Sequence, residues 1–405
     1  MTAAVAATSM DVGFLKAGAQ PDSFDPYPLC ARLRDGAPLW ESPWGDIYLS
    51  SFASVRHALG NAALRRSPLD GITGAGGVVD VDAVIAARLR EWLLFADDEK
   101  HTQLRRGLLG LFRTADIGAL RPLISELTLA SLQGASDRGD FVPLVSARVP
   151  RTVLLALLGL PRSDYDLLTA WGSVLRRVLD SGAGPDDAVV TETFDGIKAY
   201  FFDLVGDASW QSGKTAHGLA SLLGAFPREA VAANLAMLAF VGQDTTSHLV
   251  GSMFLHLALR PGLWARLRSE PHLAKAAVNE ALRIESPIQK LCRWTPDAIE
   301  IGGRGVEGGR LLVLLIGAAH RDPAEYSQPD MFDIDRSKSA ELSFGWGAHL
   351  CLGRPLALLE GETILQTLLA AWQEVEVSDD GWSWLNNSSF RGLRHLGLSW
   401  RAARR

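Results

Sequence analysis

The sequence has few cysteines, no excess of basic residues and no long apolar run. Its three cysteines, Cys30, Cys292 and Cys351, are odd in number and lack CxxC spacing, so neither a disulfide framework nor a structural zinc site is indicated. With 40 Lys and Arg against 46 Asp and Glu, the net charge of -6 argues against nucleic-acid binding. No run reaches the roughly 18 apolar residues that a membrane span needs.

The N-terminal segment is also a poor export signal, because Asp11 and Lys16 interrupt it and no basic start precedes an apolar run. These absences predict a cytoplasmic protein that binds neither nucleic acid nor a membrane. The apolar fraction of 47% suffices for a substantial core, and nothing clearly divides the chain. We therefore expect a single domain over residues 1–405, with residues 1–20 as a mobile tail.

Helical periodicity dominates the middle of the chain. Residues 98–270 carry apolar side chains mostly at three- and four-residue spacing, and residues 229–259 are apolar on nearly all sides, as in a buried helix. Beyond residue 296 the period shortens, which predicts short strands joined by glycine turns. The expected fold class is mainly α with a small β region.

The segment "LSFGWGAHLCLGRPLALLE", residues 342–360, places Cys351 among three glycines and directly before an apolar helix. The glycines allow backbone amides to approach the sulfur, and a helix N-terminus favours an anion. Both effects lower a thiol pKa, so we expect this loop to hold a thiolate. Such a thiolate could act as a nucleophile with His349 as its base, as a zinc ligand, or as the single axial ligand of haem iron.

The same segment resembles the haem-thiolate signature of the cytochrome P450 family. It matches Phe-Gly-x-Gly-x-His-x-Cys-x-Gly at all six fixed positions, which are Phe344, Gly345, Gly347, His349, Cys351 and Gly353. The resemblance extends over most of the chain, from about residue 95 to 395. It implies the fold of that family, with a long central helix over haem b, Cys351 as the axial iron ligand and Phe344 packed near the sulfur.

A second motif, "NEALR", places Glu280 and Arg283 on one helix face, where they can form a buried ion pair. In the family this pair belongs to a structural network behind the haem. Its third member is often an arginine, and the corresponding position here is Met331. We expect that another residue completes the network or that the network is incomplete.

Haem propionates require cations or hydrogen-bond donors in a buried site. By the resemblance, the binding groups are His101 and Arg105 in "EKHTQLRR", Arg293 in "LCRWT", and His349 in the cysteine loop.

The polar stretch "GQDTTSH" interrupts the long apolar helix. It resembles the acid-alcohol pair of the family, which implies that Asp244 and Thr245 deliver protons for O–O cleavage. We expect Gly242 to permit a local bulge there. Val241 stands where the family usually has Ala or Gly, so its methyl groups should narrow the cavity.

The resemblance implies a monooxygenase that uses dioxygen and hydroxylates or oxidatively couples its substrate. Electrons would come from a separate ferredoxin or flavodoxin with its reductase, docking near Arg106 and Arg354, and we expect a monomer. A peroxide-driven or isomerising haem enzyme is the nearer alternative. A non-catalytic protein of the same fold that activates a partner enzyme is the other.

By position in the family, the substrate site should be lined by residues of the central helix and of the segment after "ESP": Met237, Phe240, Val241, Gln289 and Leu291. The loops at 68–90, 181–188 and 385–392 should cover it. An apolar pocket with one amide, Gln289, suits a medium-sized hydrophobic molecule bearing a carbonyl or amide. The expected role is tailoring of a secondary metabolite, of peptide or polyketide origin.

Overall fold

The computed structural model describes residues 25–43, 45–66, 89–112, 117–181, 187–211, 224–337 and 342–403. The expected tail at residues 1–20, most of the loop at 68–90 and the centre of the loop at 181–188 lie outside these residues. Within the described ranges, no helix combines the length and the apolar character that crossing a bilayer requires.

The described residues are mainly helical with a small β region, as the sequence predicts. Their helices, in chain order, are α1 Tyr27–Gly36, α2 Phe52–Gly60, α3 Asp98–Leu109, α4 Arg121–Ser131, α5 Arg148–Leu157, α6 Tyr165–Ser181, α7 Asp187–Gly206, α8 Ala208–Gln211, α9 Arg228–Ala258, α10 Pro261–Ser269, α11 Ala274–Ile284, α12 Ile316–Ala319 and α13 Arg354–Ala371. Their strands are β1 Leu39–Glu41, β2 Ile47–Leu49, β3 Arg138–Asp140, β4 Lys290–Thr295, β5 Ile299–Ile301, β6 Arg304–Val306, β7 Arg310–Leu315, β8 Trp372–Trp384 and β9 Leu393–Ala402.

The long helix α9 runs through the main core. It begins directly after Pro227 and ends at Ala258, three residues before Pro261, which cannot continue a helix from its interior. Most of its residues are buried on every side, because α5, α7, α11 and α13 pack around it. A helix surrounded in this way exposes few of its residues, so its buried polar side chains need partners inside the protein.

A mixed four-stranded sheet in the order β1-β2-β7-β4 lies beside the helices. Its strand β7 is buried on both faces, with Leu312 and Leu314 against the α2 side and Leu311 and Val313 against the α1 side. The antiparallel partner β4 pairs Arg293 with Leu312, which fixes the position of that arginine. Pairing with β7 therefore determines where β4 places Arg293 in the site described below.

A second sheet, in the order β3-β9-β8, contains the long hairpin of β8 and β9. The residues that join these strands, 385–392, return to the segment before β4, where the backbone N–H of Gln289 donates to the Ser389 carbonyl at 2.8 Å. The hairpin thus connects the second sheet to the first.

Glu280 and Arg283 form a bidentate ion pair that is almost fully buried, with nitrogen-to-oxygen distances of 2.7 and 2.8 Å. Arg336, and not residue 331, supplies the third side chain, because its Nε lies 3.1 Å from Glu280 Oε1. Met331 contributes its carbonyl to both arginines while its own side chain is exposed. The network is therefore complete.

Candidate functional site

The cysteine loop folds back on itself through two glycines in the left-handed region. Gly345 and Gly347 each have φ +73°, which side chains with a Cβ rarely adopt. Gly347 also lies against the end of α2, where a Cβ would come within 3.2 Å of the Gly60 Cα. The turn returns the Cys351 amide to the Phe344 carbonyl at 2.9 Å, so the sequence pattern fixes the loop.

Cys351 is exposed, although the helix that follows it is largely buried. Although the side chain is accessible to solvent, the many protein atoms packed around the loop desolvate the thiol and raise its pKa. The amides of Gly353 and Arg354 and the charge of Arg105 act in the opposite direction, as the sequence predicts, but they do not outweigh desolvation. The loop therefore supplies the anion-stabilising contacts that the sequence predicts, and desolvation opposes them.

Basic side chains from three parts of the chain converge beside the loop. The imidazole rings of His101 on α3 and His349 in the loop lie 4.1 Å apart between centroids. Arg105, one turn after His101, donates to the carbonyl of Leu350. Arg293 of β4 is buried and interacts electrostatically with Arg66. The structure therefore brings the predicted propionate-binding residues together.

Two members of this cluster were missed in the sequence. Arg66 donates through Nε to the Leu94 carbonyl at 3.1 Å and through its guanidinium to the Cys292 carbonyl at 3.3 Å. Asp97 accepts the Arg66 amide and lies 3.4 Å from His349 Nε2. Neither belongs to a recognisable motif. The local indication for Asp97 is its place immediately before an amphipathic helix, where an acidic residue is favoured.

The electrostatics of the cluster call for an anion. Burial and the nearby Arg66 lower the pKa of Arg293 to about 9, and burial with His349 lowers the pKa of His101 to about 4. Three buried or half-buried arginines face one carboxylate, Asp97, among the groups named above. Buried charges of one sign are unfavourable unless they are paired. Two propionates beside a thiol at Cys351 fit this set of donors.

Asp244 and Thr245 lie side by side on α9 but have different surroundings. Asp244 forms a 2.6 Å ion pair with Arg176 of α6 and lies 3.8 Å from Arg151 of α5. The Thr245 hydroxyl lies 3.5 Å from the Val241 carbonyl oxygen, which is as long as a hydrogen bond can be. Its hydroxyl is therefore weakly engaged with the helix, whereas Asp244 is held by two arginines.

The expected bulge at Gly242 is absent, because α9 is α-helical without interruption through this region. A Cβ on Gly242 would lie 3.0 Å from Leu154 Cδ2 on α5. The glycine thus serves close helix packing and not a change of helical geometry.

Two further ionisable groups are buried next to this stretch. Glu360 on α13 interacts with the Thr246 hydroxyl, and burial raises its pKa well above the ordinary value. His248 lies one turn after Asp244, and burial lowers its pKa to about 4. Neither was singled out from the sequence, although a Glu in the apolar run after the cysteine loop is a visible signal. Burial favours the neutral form of both groups.

The five expected substrate-site residues have different surroundings. Val241 is 37% exposed, the largest exposure on an otherwise buried stretch of helix, and Leu291 is half-buried. Met237 is buried and accepts the Leu94 amide at its sulfur, 3.3 Å away. Phe240 is buried too, with its ring 6.2 Å from that of Phe201.

The interpretation of Gln289 as the amide of the pocket is wrong. Its side chain is 7% exposed, and Nε2 donates to the Ser286 carbonyl at 2.8 Å. Its Oε1 lies against Gly317, where an added Cβ would be only 2.2 Å away. The amide stabilises the turn before β4, so it does not recognise a substrate.

Comparison with known proteins supports the family resemblance. The family described as Cytochrome P450 matches residues 208–381. Biotin biosynthesis cytochrome P450 of Bacillus subtilis is 31% identical over 76% of this chain and 80% of its own. Cytochrome P450 monooxygenase PikC of Streptomyces venezuelae is 28% identical over 98% of this chain and 95% of its own. Beta-dihydromenaquinone-9 omega-hydroxylase of Mycobacterium tuberculosis is 29% identical over 93% and 76%.

Solved structures agree with this result over nearly the whole chain. P450BioI, solved with acyl carrier protein ligated to hexadec-9Z-enoic acid, has a TM-score of 0.84 and 26% identity, covering 93% of this chain and 98% of its own. A mutant of P450 EryK with erythromycin B has a TM-score of 0.82 and 25% identity, covering 94% and 97%. The chain therefore has the P450 fold and belongs to the cytochrome P450 family, as a monooxygenase.

Proposed function

We propose that this monooxygenase holds haem b through Cys351 and oxidises a medium-sized apolar small molecule of secondary metabolism, by hydroxylation or oxidative coupling. The observation that carries the proposal is the set of buried cations beside the exposed Cys351 thiol. The similarity to PikC, and to EryK solved with erythromycin B, supports a secondary metabolite as substrate.

The residues that would hold the cofactor divide into two groups. Cys351 supplies the axial ligand, with Phe344 beside it and amides of Gly353 and Arg354 directed at its sulfur. The propionates would meet His101, Arg105, Arg293 and His349, together with Arg66. When bound with a thiolate ligand, haem supplies the activation of dioxygen and the transfer of one oxygen atom.

On the opposite side, Asp244 and Thr245 are proposed to move protons. The Thr245 hydroxyl can donate toward the cavity because its bond to Val241 is at the distance limit. As an ion-paired carboxylate, Asp244 must first accept a proton from water, on an oxygen that has left Arg176, before it can pass a proton to the Thr245 hydroxyl. Proton delivery thus depends on the ion pairs that join α9 to α5 and α6.

Electrons are proposed to come from a separate ferredoxin or flavodoxin with its reductase. Arg106 and Arg354 are exposed near the cysteine loop, and Arg354 lies over the Phe344 ring at 5.8 Å. These charges suit an acidic donor surface, which would speed association at low salt.

Val241 narrows the proposed substrate site, and no amide from Gln289 is available to recognise a carbonyl. Shape and apolar contact therefore carry selection in the proposed site. A fatty acyl chain on a carrier protein is the second candidate, because P450BioI was solved with such a ligand and the biotin-biosynthesis relative is 31% identical.

Reconstitution tests the proposal. The protein, a plant-type ferredoxin, its reductase and NADPH would be supplied with erythromycin B, hexadec-9-enoic acid or the carrier-bound acid. We expect a substrate-induced Soret shift and an oxygenated product from a macrolide-type compound. Turnover of the acyl chain alone would favour the second candidate. Product with hydrogen peroxide and no reductase would instead indicate a peroxide-driven enzyme.

Thr245→Ala tests the proton donor. Since general acid catalysis contributes roughly 10²–10⁴-fold, we expect product per NADPH to fall at least about tenfold, with peroxide released instead. Thr245→Ser keeps the hydroxyl and is the matched control, which should retain most of the coupling. Equal coupling in both variants would remove Thr245 from the proposed relay.

A further inference from the structure

His320, directly after α12, is a buried histidine whose imidazole reaches the start of the cysteine loop. Its Nε2 accepts the backbone N–H of Leu342 at 3.2 Å, and Leu342 is buried too. Because Nε2 acts as an acceptor, the proton of the neutral ring is on Nδ1. Burial and the charge of Arg283 favour this neutral form, since they lower the pKa of His320 to about 3.

The other ring nitrogen shows that this histidine carries an energetic cost. Among the residues that the structure describes, Nδ1 of His320 has no hydrogen-bond partner. A buried donor without a partner is unfavourable, and few such groups occur in native proteins. An apolar residue of the same size would avoid this cost, but it would leave the Leu342 N–H without its acceptor. The contact at Nε2 therefore accounts for a polar ring at this position.

The imidazole is held in a fixed place by its own backbone and by its neighbours. The His320 N–H donates to the Ile316 carbonyl at 3.0 Å, and the His320 carbonyl accepts a bond from Arg283 at 2.8 Å. The ring lies edge-to-face against Tyr326, with 6.3 Å between centroids. Because Arg283 also forms the bidentate pair with Glu280, His320 stands between that ion pair and the cysteine loop.

Backbone hydrogen bonds connect Leu342 to Cys351. The Leu342 carbonyl accepts the Gly345 N–H at 2.9 Å, which closes the first turn of the loop. The carbonyl of Phe344, within that turn, accepts the Cys351 N–H at 2.9 Å. A displacement of Leu342 would therefore reach the cysteine through only two hydrogen bonds.

A second anchor holds the start of the loop independently of His320. The Ser343 hydroxyl donates to the Leu282 carbonyl at 2.8 Å and lies 3.2 Å from the Ser286 hydroxyl. The side chain of Leu342 also packs in the core cluster formed by α2 and β7. Loss of the His320 acceptor should therefore loosen the loop without unfolding it.

We propose that His320 is a positioning residue for the haem ligand: by holding Leu342, its Nε2 fixes the point from which the loop presents Cys351 to the iron. The inference rests on the proposed function, since it requires Cys351 as the axial ligand. It assigns the link between the buried ion pair of Glu280 and Arg283 and the thiolate to one imidazole nitrogen. Without this acceptor, the sulfur should leave the iron more readily while the rest of the fold persists.

The thiolate signature of the full-length, haem-loaded protein tests the proposal. The protein is reduced with dithionite and bound to carbon monoxide, at a urea concentration well below all unfolding midpoints. The measured quantity is the rate at which the red-shifted Soret band converts to that of haem without thiolate. His320→Leu removes the acceptor and leaves the Leu342 N–H unpaired. We expect its rate to rise about tenfold, which corresponds to about 1.4 kcal/mol and lies within the cost of an unsatisfied buried donor.

His320→Gln is the matched rescue, because the amide oxygen at the end of its side chain can accept the same N–H. Its conversion rate should stay near that of the wild type. Asp140→Leu controls for general damage, because Asp140 Oδ1 accepts the backbone N–H groups of Val142 and Leu396 at 3.0 and 3.1 Å in the second sheet. This variant has the same kind of defect in another element, so its urea midpoint should fall while its conversion rate stays unchanged.

A lower urea midpoint in His320→Leu with an unchanged conversion rate would overturn the proposal and leave the imidazole with a structural role only. A rate in His320→Gln equal to that of His320→Leu would overturn it as well. If His320→Leu does not fold, His320→Asn, whose amide is too short to reach Leu342, takes its place. Absence of the thiolate band in the wild type would contradict the proposed function instead, so the two failures are distinguishable.

Discussion

Replacing Arg336 with Met tests whether this residue completes the network around Glu280. Arg336 donates to Glu280 Oε1 at 3.1 Å and to the carbonyls of Ser327, Gln328 and Met331. These bonds hold the chain between α12 and the cysteine loop. The substitution removes all of these hydrogen bonds and puts an unbranched apolar side chain in place of the arginine.

The size of the effect follows from what Glu280 keeps. Its carboxylate remains bound by Arg283 at 2.7 and 2.8 Å and by the Asp333 amide at 2.9 Å, so it is not left unpaired. We expect Arg336→Met to cost about 1.5–3 kcal/mol, the range of a hydrogen bond to a charged group. Arg283→Met leaves a buried charge with less compensation and should cost about 3–5 kcal/mol.

Urea unfolding followed by far-UV circular dichroism ranks these variants by their midpoints. Arg266→Met is the control, because Arg266 also binds a carboxylate bidentately, that of Asp335, but is 39% exposed. Exposed pairs contribute little to stability because solvent screens them, so its midpoint should stay near that of the wild type. A midpoint for Arg336→Met no lower than that of Arg266→Met would refute this account of the network.

Two further substitutions test buried ionisable groups. Arg293→Met should speed haem transfer to apomyoglobin by roughly 10–100-fold, since a charged hydrogen bond is worth about 1.5–3 kcal/mol; an unchanged rate would exclude Arg293 from haem binding. Because burial raises the pKa of Glu360 above its ordinary 4.5, the wild type loses stability as pH rises from that value through the folded pKa. Over this pH range, the free energy of unfolding of Glu360→Gln should rise relative to that of the wild type by up to about 1.4 kcal/mol per pH unit. Parallel pH profiles of the two proteins in urea unfolding would contradict this.

Local sequence patterns predicted the parts of the site that short segments determine. The glycines around Cys351 require a left-handed turn, and the apolar run before Ala258 requires a buried helix. Both features depend on neighbouring residues alone. For this reason the cysteine loop and α9 could be placed from the sequence.

The sequence was a poor guide where distant segments meet. Arg66, Asp97 and Arg293 become neighbours only because β4 and α3 pack beside the same loop. The orientation of the Gln289 side chain depends on the space left by Gly317, and the need for a glycine at position 242 depends on the Leu154 side chain packed against it. Arg336 lies five residues beyond the expected Met331 in an irregular segment, where no periodicity indicates which side chain points inward.

The most direct test of the central claim is the absorbance of the dithionite-reduced protein with and without carbon monoxide, in the wild type and in Cys351→Ser. We expect the wild type to give the strongly red-shifted Soret band of thiolate-ligated haem, and the variant to lose it. A wild-type band typical of histidine ligation, or a red-shifted band that persists in Cys351→Ser, would contradict the assignment of Cys351 as the haem ligand.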